Sequence, residues 1–248
     1  PLKRLLAAGV GDCFELGRVF RDGEAGGRHN PEFTMLEWYR VGWTLEPLMD
    51  ETVALVQAAL SMIGREATVS RVSFRDLYRQ ELGVDPMTAD LETVRNAAAG
   101  IAIDGDGLTP DDWLDLLMTH RLQPTFGRDE IRVVHDYPAS QCALAKVVER
   151  DGVPVAERFE LYLGPLELAN GYHELTDAAE QRVRFERDVA TRSVRGEDAP
   201  AIDEGLLAAL AHGMPDCAGV ALGVDRLLMA MLDTPRIADV VAFDFARA

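Results

Sequence analysis

Three clusters of polar residues in this 248-residue chain have the types and spacing to handle a phosphorylated, charged substrate. The first, FRDGEAGGRHNPEFTMLEWY from Phe20 to Tyr39, sets Arg21, Glu24, Arg28, His29 and Asn30 on one glycine-rich loop. A guanidinium is a planar fork that pairs with phosphate oxygens in bidentate fashion, so Arg21 at the end of a strand can orient an α-phosphate. Phe33, where the chain re-enters regular structure, offers an apolar face to an adenine ring. Taken alone, the stretch reads equally well as a solvated hairpin tip with a core phenylalanine.

The second cluster, ERFELYLGPLELANGYHELTD, holds Glu157, Glu160, Glu167, Glu174 and Asp177. Glu160 and Glu167 lie on either side of a turn at Gly164, so a hairpin can bring the two carboxylates together. Adjacent carboxylates repel unless a cation lies between them, which suits Mg²⁺ shared with nucleotide phosphates. Glu174, beyond Asn170 and Tyr172, is then expected to be free to accept an ammonium. For any one of these glutamates, an outward acidic face on an edge strand is the commoner case. The third cluster, GVALGVDRLLMAML, runs from a small-residue strand through Gly223 into an apolar helix with Arg226 in its first turn. A helix N-terminus disfavours a cation, so Arg226 there calls for an anionic partner. The segment lacks both GxGxxG and a Walker lysine.

The elements that must position these residues follow from periodicity and turn chemistry. Residues 12 to 20 and 32 to 43 are rich in aromatic and β-branched types and predict a long-looped antiparallel hairpin. A helix is expected over about 45 to 63, with an apolar stripe behind a Thr44 cap. From 70 to 125 the pattern reads as an inserted helical region, with caps at Ser73 and Thr109 and Pro110 at a first helical position. Strands are predicted at 130 to 137, 141 to 149, 155 to 163 and 165 to 172, with turns at Gly152 and Gly164. Helices at 176 to 194 and 203 to 212, a strand at 216 to 222 and a helix at 224 to 232 complete an α+β domain over 1 to 248, a mostly antiparallel sheet flanked by helices.

Composition narrows the function classes. The net charge of −17 opposes non-specific attraction to a nucleic-acid backbone. No run of about eighteen apolar residues is present, which predicts no membrane span and a cytoplasmic protein. Cys13, Cys142 and Cys217 are scattered without CxxC spacing and read as reduced thiols. His120, His135, His173 and His212 show no metal-type spacing and receive no function. PLKRLLAAGVG reads as the end of a helix closed by Gly9 or Gly11, so the native protein is expected to start earlier.

In this order, the three clusters resemble motif 2, the lysine-specific strand pair and motif 3 of class II lysyl-tRNA synthetases. RHNPEFTMLEWYR, ERFELYLGPLELANGYHELTDA and GVALGVDRLLM are similar to the elongation factor P lysine ligases within that group, and the likeness spans nearly the whole chain. The resemblance implies the class II synthetase catalytic fold, ATP and Mg²⁺ as the groups handled, and Arg21 and Arg226 as the catalytic arginines. It further implies that Arg21 binds the α-phosphate, Asn30 and Phe33 the adenine, Glu160 and Glu167 the Mg²⁺, and Arg226 the γ-phosphate, with His29 beside the phosphates. Glu37 would accept the amino group nearest the substrate carboxylate. Tyr39 and Glu174 would hold the distal ammonium of a lysine-like substrate, with Asn170 and Tyr172 lining the pocket.

Two positions depart from the synthetase pattern. Gly23 stands where synthetases carry Glu, and Ala221 stands where lysyl-tRNA synthetases carry Gly. The added methyl at Ala221 resembles the ligases and disfavours an α-amino acid sterically. The resemblance therefore implies activation of (R)-β-lysine or lysine as an adenylate and transfer to a lysine of elongation factor P. tRNA charging is the main rival, and an inactive nucleotide- or amino-acid-binding paralogue is the third reading. Motif 1, which builds the family's dimer interface, is not among these residues, so a homodimer is expected of the full-length protein.

Overall fold

The computed structural model describes every residue except Glu24, Asp104, Asp106, Glu197 and Ala248, and the side chain of Ala246. Its centre is an eight-stranded sheet built from β1 (Cys13–Phe20), β2 (Glu32–Val41), β3 (Thr68–Ser73), β4 (Glu130–Pro138), β5 (Val147–Arg150), β6 (Val153–Leu163), β7 (Leu166–His173) and β8 (Cys217–Gly223). The strand order is β1-β2-β8-β7-β6-β4-β3, with β5 pairing β6. Every pair is antiparallel except β3 with β4. The α+β architecture with a mostly antiparallel sheet is as the sequence predicts.

Two spans differ from expectation. β3 is a strand where the pattern from residue 70 predicts helix; TVSRVS is short, and Ser73 caps the next helix directly after it. The strand expected over 141 to 149 is regular only from Val147. Before it, Ala143 adopts φ +45°, which breaks the extended run, and Arg184 bonds the freed carbonyls of Ala143 and Ala145 at 3.1 and 2.7 Å.

Alternation divides the sheet into two faces. Leu36 and Trp38 of β2, Phe159, Leu161 and Leu163 of β6, and Ala218, Val220 and Leu222 of β8 all turn to the main core. The helices α2 (Leu45–Ser61) and α8 (Val224–Leu232) cover that face. The opposite face is covered at its two ends only. Over β4 and β6 lie α3 (Phe74–Leu82), α4 (Leu91–Ala97) and α5 (Pro110–Leu117), packed around Tyr78, Trp113 and Tyr162. Over β2 and β8 lie α1 (Leu2–Ala7) and α7 (Glu204–Gly213), joined by Leu2, Leu6, Leu210 and Met214 against Tyr39 and Cys217. Between these two coverings the alternate positions Glu37, Ala221 and Asn170 of β2, β8 and β7 line an opening.

One bulge decides what that open face displays. β6 and β7 are joined through Gly164 and Pro165, with Gly164 at φ +56°, so Leu163 pairs Leu166 and Tyr162 pairs Glu167. The register then shifts: Leu161 pairs Ala169 and Glu160 pairs Asn170, leaving Leu168 as an extra residue. In a regular strand Glu167 and Asn170, three apart, would face opposite sides. The bulge lets both face the open side.

At the rim, the helix α6 (Ala178–Val194) is capped by Asp177, and His173 bridges two carboxylates. Its Nδ1 lies 2.5 Å from Glu157 and its Nε2 2.9 Å from Asp216, with Lys146 3.1 Å from the same Nε2. These partners were not foreseen from sequence, since they lie 16 and 43 residues away. The Glu157 hydrogen bond foremost, against burial and then with Asp216, raises the His173 pKa. A raised folded-state value stabilises fully below the unfolded value of about 6.5 and is lost as pH rises through the folded value. The stability lost in His173→Gln, measured by urea unfolding, is therefore expected to be largest below about pH 6 and to shrink as pH is raised past 7. A difference that is flat across that range would refute the assignment.

Candidate active site

Register lines the open face with the predicted residues. Glu37, Ala221, Asn170 and Glu160 occupy one row across β2, β8, β7 and β6. Tyr39, Gly219, Tyr172 and Arg158 form the next. Paired residues in adjacent strands point the same way, so both rows face the opening. Two adjoining cavities result, sharing Asn170, Tyr172 and Ala221.

The larger cavity, of about 360 Å³, is bounded by Arg21, His29, Phe33, Glu167 and Arg226. Arg21 follows β1, and its backbone N–H donates to Pro31 at 2.9 Å, which pins the loop mouth. Its guanidinium lies 5.6 Å from the centre of the Phe33 ring. Arg226 enters from the first turn of α8, whose Asp225 accepts a 2.7 Å bond from the Thr34 N–H and fixes the helix to β2. Arg226 Nη1 is 3.2 Å from the Glu167 carbonyl and 3.5 Å from its carboxylate, while Nη2 is 2.7 Å from His29 Nε2. The anionic partner expected for a cation at this helix start is thus Glu167. His29 and Arg226, separated by 197 positions, meet here.

Asn30 lines the same cavity, and its amide is held by the backbone on either side. Nδ2 donates to the Glu32 carbonyl at 2.6 Å and Oδ1 accepts from the Phe245 N–H at 2.8 Å. Gly23 adopts φ +75° with open space around it, and Glu24 lies outside the described residues.

The expected carboxylate pair shares a face without sharing the cavity. Glu160 Oε2 accepts from Tyr137 at 2.7 Å and from Tyr162, while Oε1 accepts from Arg158 at 2.5 Å and Asn170 at 3.2 Å. A carboxylate has about four lone-pair directions, and protein donors take all of them. Glu167 remains exposed to the cavity chemistry. Burial first, then the nearby Glu160, raises its pKa well above the usual carboxylate range, against the lowering pull of Arg226, Arg158 and Arg21. Asn170 Oδ1 is buried without a hydrogen-bond partner. These oxygens would suit a hard dication: Glu167 would offer a carboxylate, Asn170 borders the same cavity, and Glu160 contributes a fixed negative charge beside it. Among the described residues, no set of three His, Cys, Asp or Glu forms a ready cage, so further ligands would come from a phosphorylated substrate.

The smaller cavity, of about 240 Å³, is lined by Glu37, Tyr39, Tyr172, Glu174 and Ala221 among others. The Tyr39 hydroxyl donates to Glu37 Oε1 at 2.5 Å. Burial, and then the negative fields of Glu174 and Glu37, hold the Tyr39 phenol protonated. Tyr172 is pushed up to about 12, chiefly by burial. Gly219 is required beneath this pair, because a Cβ there would lie 2.3 Å from the Tyr39 ring and 2.8 Å from Glu174 Oε1. Glu174 is not free: Lys3 Nζ sits 2.5 Å from its Oε2.

Sequence reading missed Arg158 and Lys3. Arg158 stacks over Tyr137 and Tyr172, 4.5 and 5.9 Å from the ring centres. Burial opposes its charge, but Glu160 holds it protonated. A signal for it existed, since Arg158 and Glu160 are two apart on a strand and share a face. Nothing local announces Lys3, whose partner lies 171 residues away.

The family described as tRNA synthetases class II (D, K and N) matches residues 2–247. The chain is similar to a protein of Yersinia enterocolitica named elongation factor P (R)-β-lysine ligase, 47% identical over 100% of this chain and 75% of that one. A protein of the same name from Salmonella paratyphi B is 46% identical with the same coverage. No described helix is long and apolar enough to cross a membrane. With a match that runs from the second residue to the penultimate one and a sheet that assembles the expected arginines on one cleft, the chain belongs to the class II tRNA synthetases of the D, K and N group.

Proposed function

We propose that the chain activates a lysine-type amino acid, (R)-β-lysine or lysine, with ATP and transfers it to a lysine side chain of elongation factor P. The observation that carries this reading is the row Glu37, Ala221, Asn170 across three paired strands, which leads from a pocket ending in Glu174 into the cleft of Arg21, Glu167 and Arg226. The names of the relatives supply the acceptor and the isomer. The acidic balance of −17 supports a protein acceptor over a polyanionic RNA. A homodimer and a cytoplasmic site go with the reading, and three cysteines without disulfides suit a reducing compartment.

In the first step the substrate carboxylate attacks the α-phosphorus of ATP and pyrophosphate leaves. Arg21 orients the α-phosphate from the loop side, and Phe33 backs the adenine. Arg226, with His29, neutralises the far phosphates from the helix side. Both arginines act by position and charge, so neither needs to lose a proton. Glu167 and Asn170 would hold Mg²⁺, which supplies charge neutralisation to the phosphate oxygens. Glu37 takes the amino group near the reacting carboxylate, oriented by Tyr39, and Glu174 takes the distal ammonium. In the second step an uncharged lysine amine of the acceptor attacks the acyl carbonyl and AMP leaves.

ATP–pyrophosphate exchange with each lysine isomer, followed by transfer assays to elongation factor P and to tRNA, tests the reading. Acylated elongation factor P is expected; acylated tRNA carrying α-lysine would overturn it. Ala221, between Glu37 and Asn170, tests the isomer choice separately. Ala221→Gly is expected to raise kcat/KM for α-lysine relative to (R)-β-lysine by about tenfold or more, since removing one methyl is worth roughly 1–3 kcal/mol of discrimination. An unchanged ratio would remove Ala221 from the specificity argument.

A further inference from the structure

Glu174 follows β7 directly and is tied down by its backbone. Its N–H donates to the Cys217 carbonyl at 3.0 Å, and it bridges to Ala145. Its side chain is 1% exposed, and a carboxylate that deep requires a cation. The cation is one that the chain supplies itself. Lys3 reaches in from α1, which is held over the pocket by Leu2 and Leu6 against α7, while Arg4 pairs with Asp203. Its side chain is 15% exposed, and Pro1, Asp203 and Leu206 border the same cavity. Among the described residues, Lys3 is the ion-pair partner of Glu174, through Oε2 alone. The other oxygen, Oε1, faces Gly219 beside Tyr39.

A lysine side chain is an alkyl chain ending in an ammonium, the same chemistry as the distal end of the substrate class proposed above. The geometry points to Lys3 as a specificity-determining residue: it occupies the ammonium position on Glu174 until a ligand bringing its own distal ammonium takes that position over. This rests on the lysine-type reading of the pocket. For a ligand with a distal ammonium, entry exchanges one charge-assisted bond for another, and the displaced Lys3 ammonium moves toward Asp203 at the rim. A ligand of the same shape ending in a methyl has no such exchange. It must either leave Glu174 buried without a cation or compete with Lys3 for space. Selection is thus partly a refusal of neutral chains, which attraction to Glu174 alone would not produce.

Equilibrium binding by calorimetry on the full-length enzyme decides this. Wild type, Lys3→Met and Lys3→Gln are each titrated with (R)-β-lysine and with its analogue in which a methyl replaces the distal ammonium. In both variants the analogue is expected to bind about tenfold more tightly than it binds wild type, narrowing the ratio of the two dissociation constants. A ratio that stays at the wild-type value, or two affinities that fall together, would reduce Lys3 to a structural counter-ion and sink the proposal. Lys3→Gln keeps a polar chain of similar reach, so a folding defect confined to Lys3→Met leaves the answer readable. Absence of pyrophosphate exchange by wild type would sink the ligase reading, while the binding ratio would still decide the role of Lys3. Failure of every form to bind a lysine-type ligand would sink both.

Discussion

Arg21→Ala is expected to lower the rate of ATP–pyrophosphate exchange by about 10²- to 10³-fold, the scale of removing one fixed donor from a developing phosphate charge. The residue is solvent-exposed and sits at the edge of the cleft, with its guanidinium 5.6 Å from the Phe33 ring. Little core packing depends on it, so the melting temperature is expected to stay within about 2 °C of wild type. The loss should fall mainly on kcat, because an orienting contact to the α-phosphate is worth most when the phosphorus becomes five-coordinate. Arg21→Lys should recover little, since a point charge does not reproduce a planar two-pronged donor. Exchange within about threefold of wild type in Arg21→Ala would remove this residue from the mechanism.

The largest effect on stability is expected from Arg158→Met. Arg158 donates to Glu160 at 2.5 Å and to the Gln141 carbonyl at 2.9 Å. It is the cation of a network in which Tyr137, Tyr162 and Asn170 supply only neutral donors to Glu160. Removing it leaves a carboxylate with 9% exposure and, among the described residues, no other ion-pair partner, a loss of about 3–5 kcal/mol. For a chain of this size that corresponds to a fall in Tm of about 10 °C. Arg158→Met combined with Glu160→Gln should recover part of it, because the amide carries no charge to strand. Asp115, pushed up to about 6 chiefly by burial and held down by Arg158, should rise further in the single variant. A stability loss below about 1 kcal/mol by urea unfolding would show that the tyrosines alone hold Glu160.

Much of the fold was legible because its signals are local. Ser73 and Thr109 cap their helices through Asp76 and Asp112, Pro110 opens α5, and Gly152 and Gly164 take the positive φ their turns need. Thr44 stands at its N-cap position, although its side chain makes no capping bond. The site was legible as three motifs, and the sheet brings Arg21, Glu167 and Arg226 to one cavity. What the residues could not announce depends on contacts distant in sequence. The extra residue at Leu168 arises from the turn register on one side and the pairing with β8 on the other, and LELANG carries no mark of it. Glu160 was expected to face a cation openly; Tyr137, 23 residues earlier, and Arg158 enclose it instead. The Lys3 contact likewise joins the first helix to the end of the seventh strand.

The last strand of the sheet lies in its middle, between β2 and β7. A nascent chain that has exposed β1 to β7 therefore holds Arg21 on β1's end and Glu167 on β7 but cannot bring them together. Until β8 has emerged, β2 and β7 each present an open hydrogen-bonding edge to the cell, a template for wrong pairing. Insertion of one seven-residue strand closes both edges, seats Arg226 opposite Glu167 and sets Gly219 under Tyr39 at a stroke. Premature termination between His173 and Cys217 should consequently yield an aggregating fragment instead of a weakened enzyme.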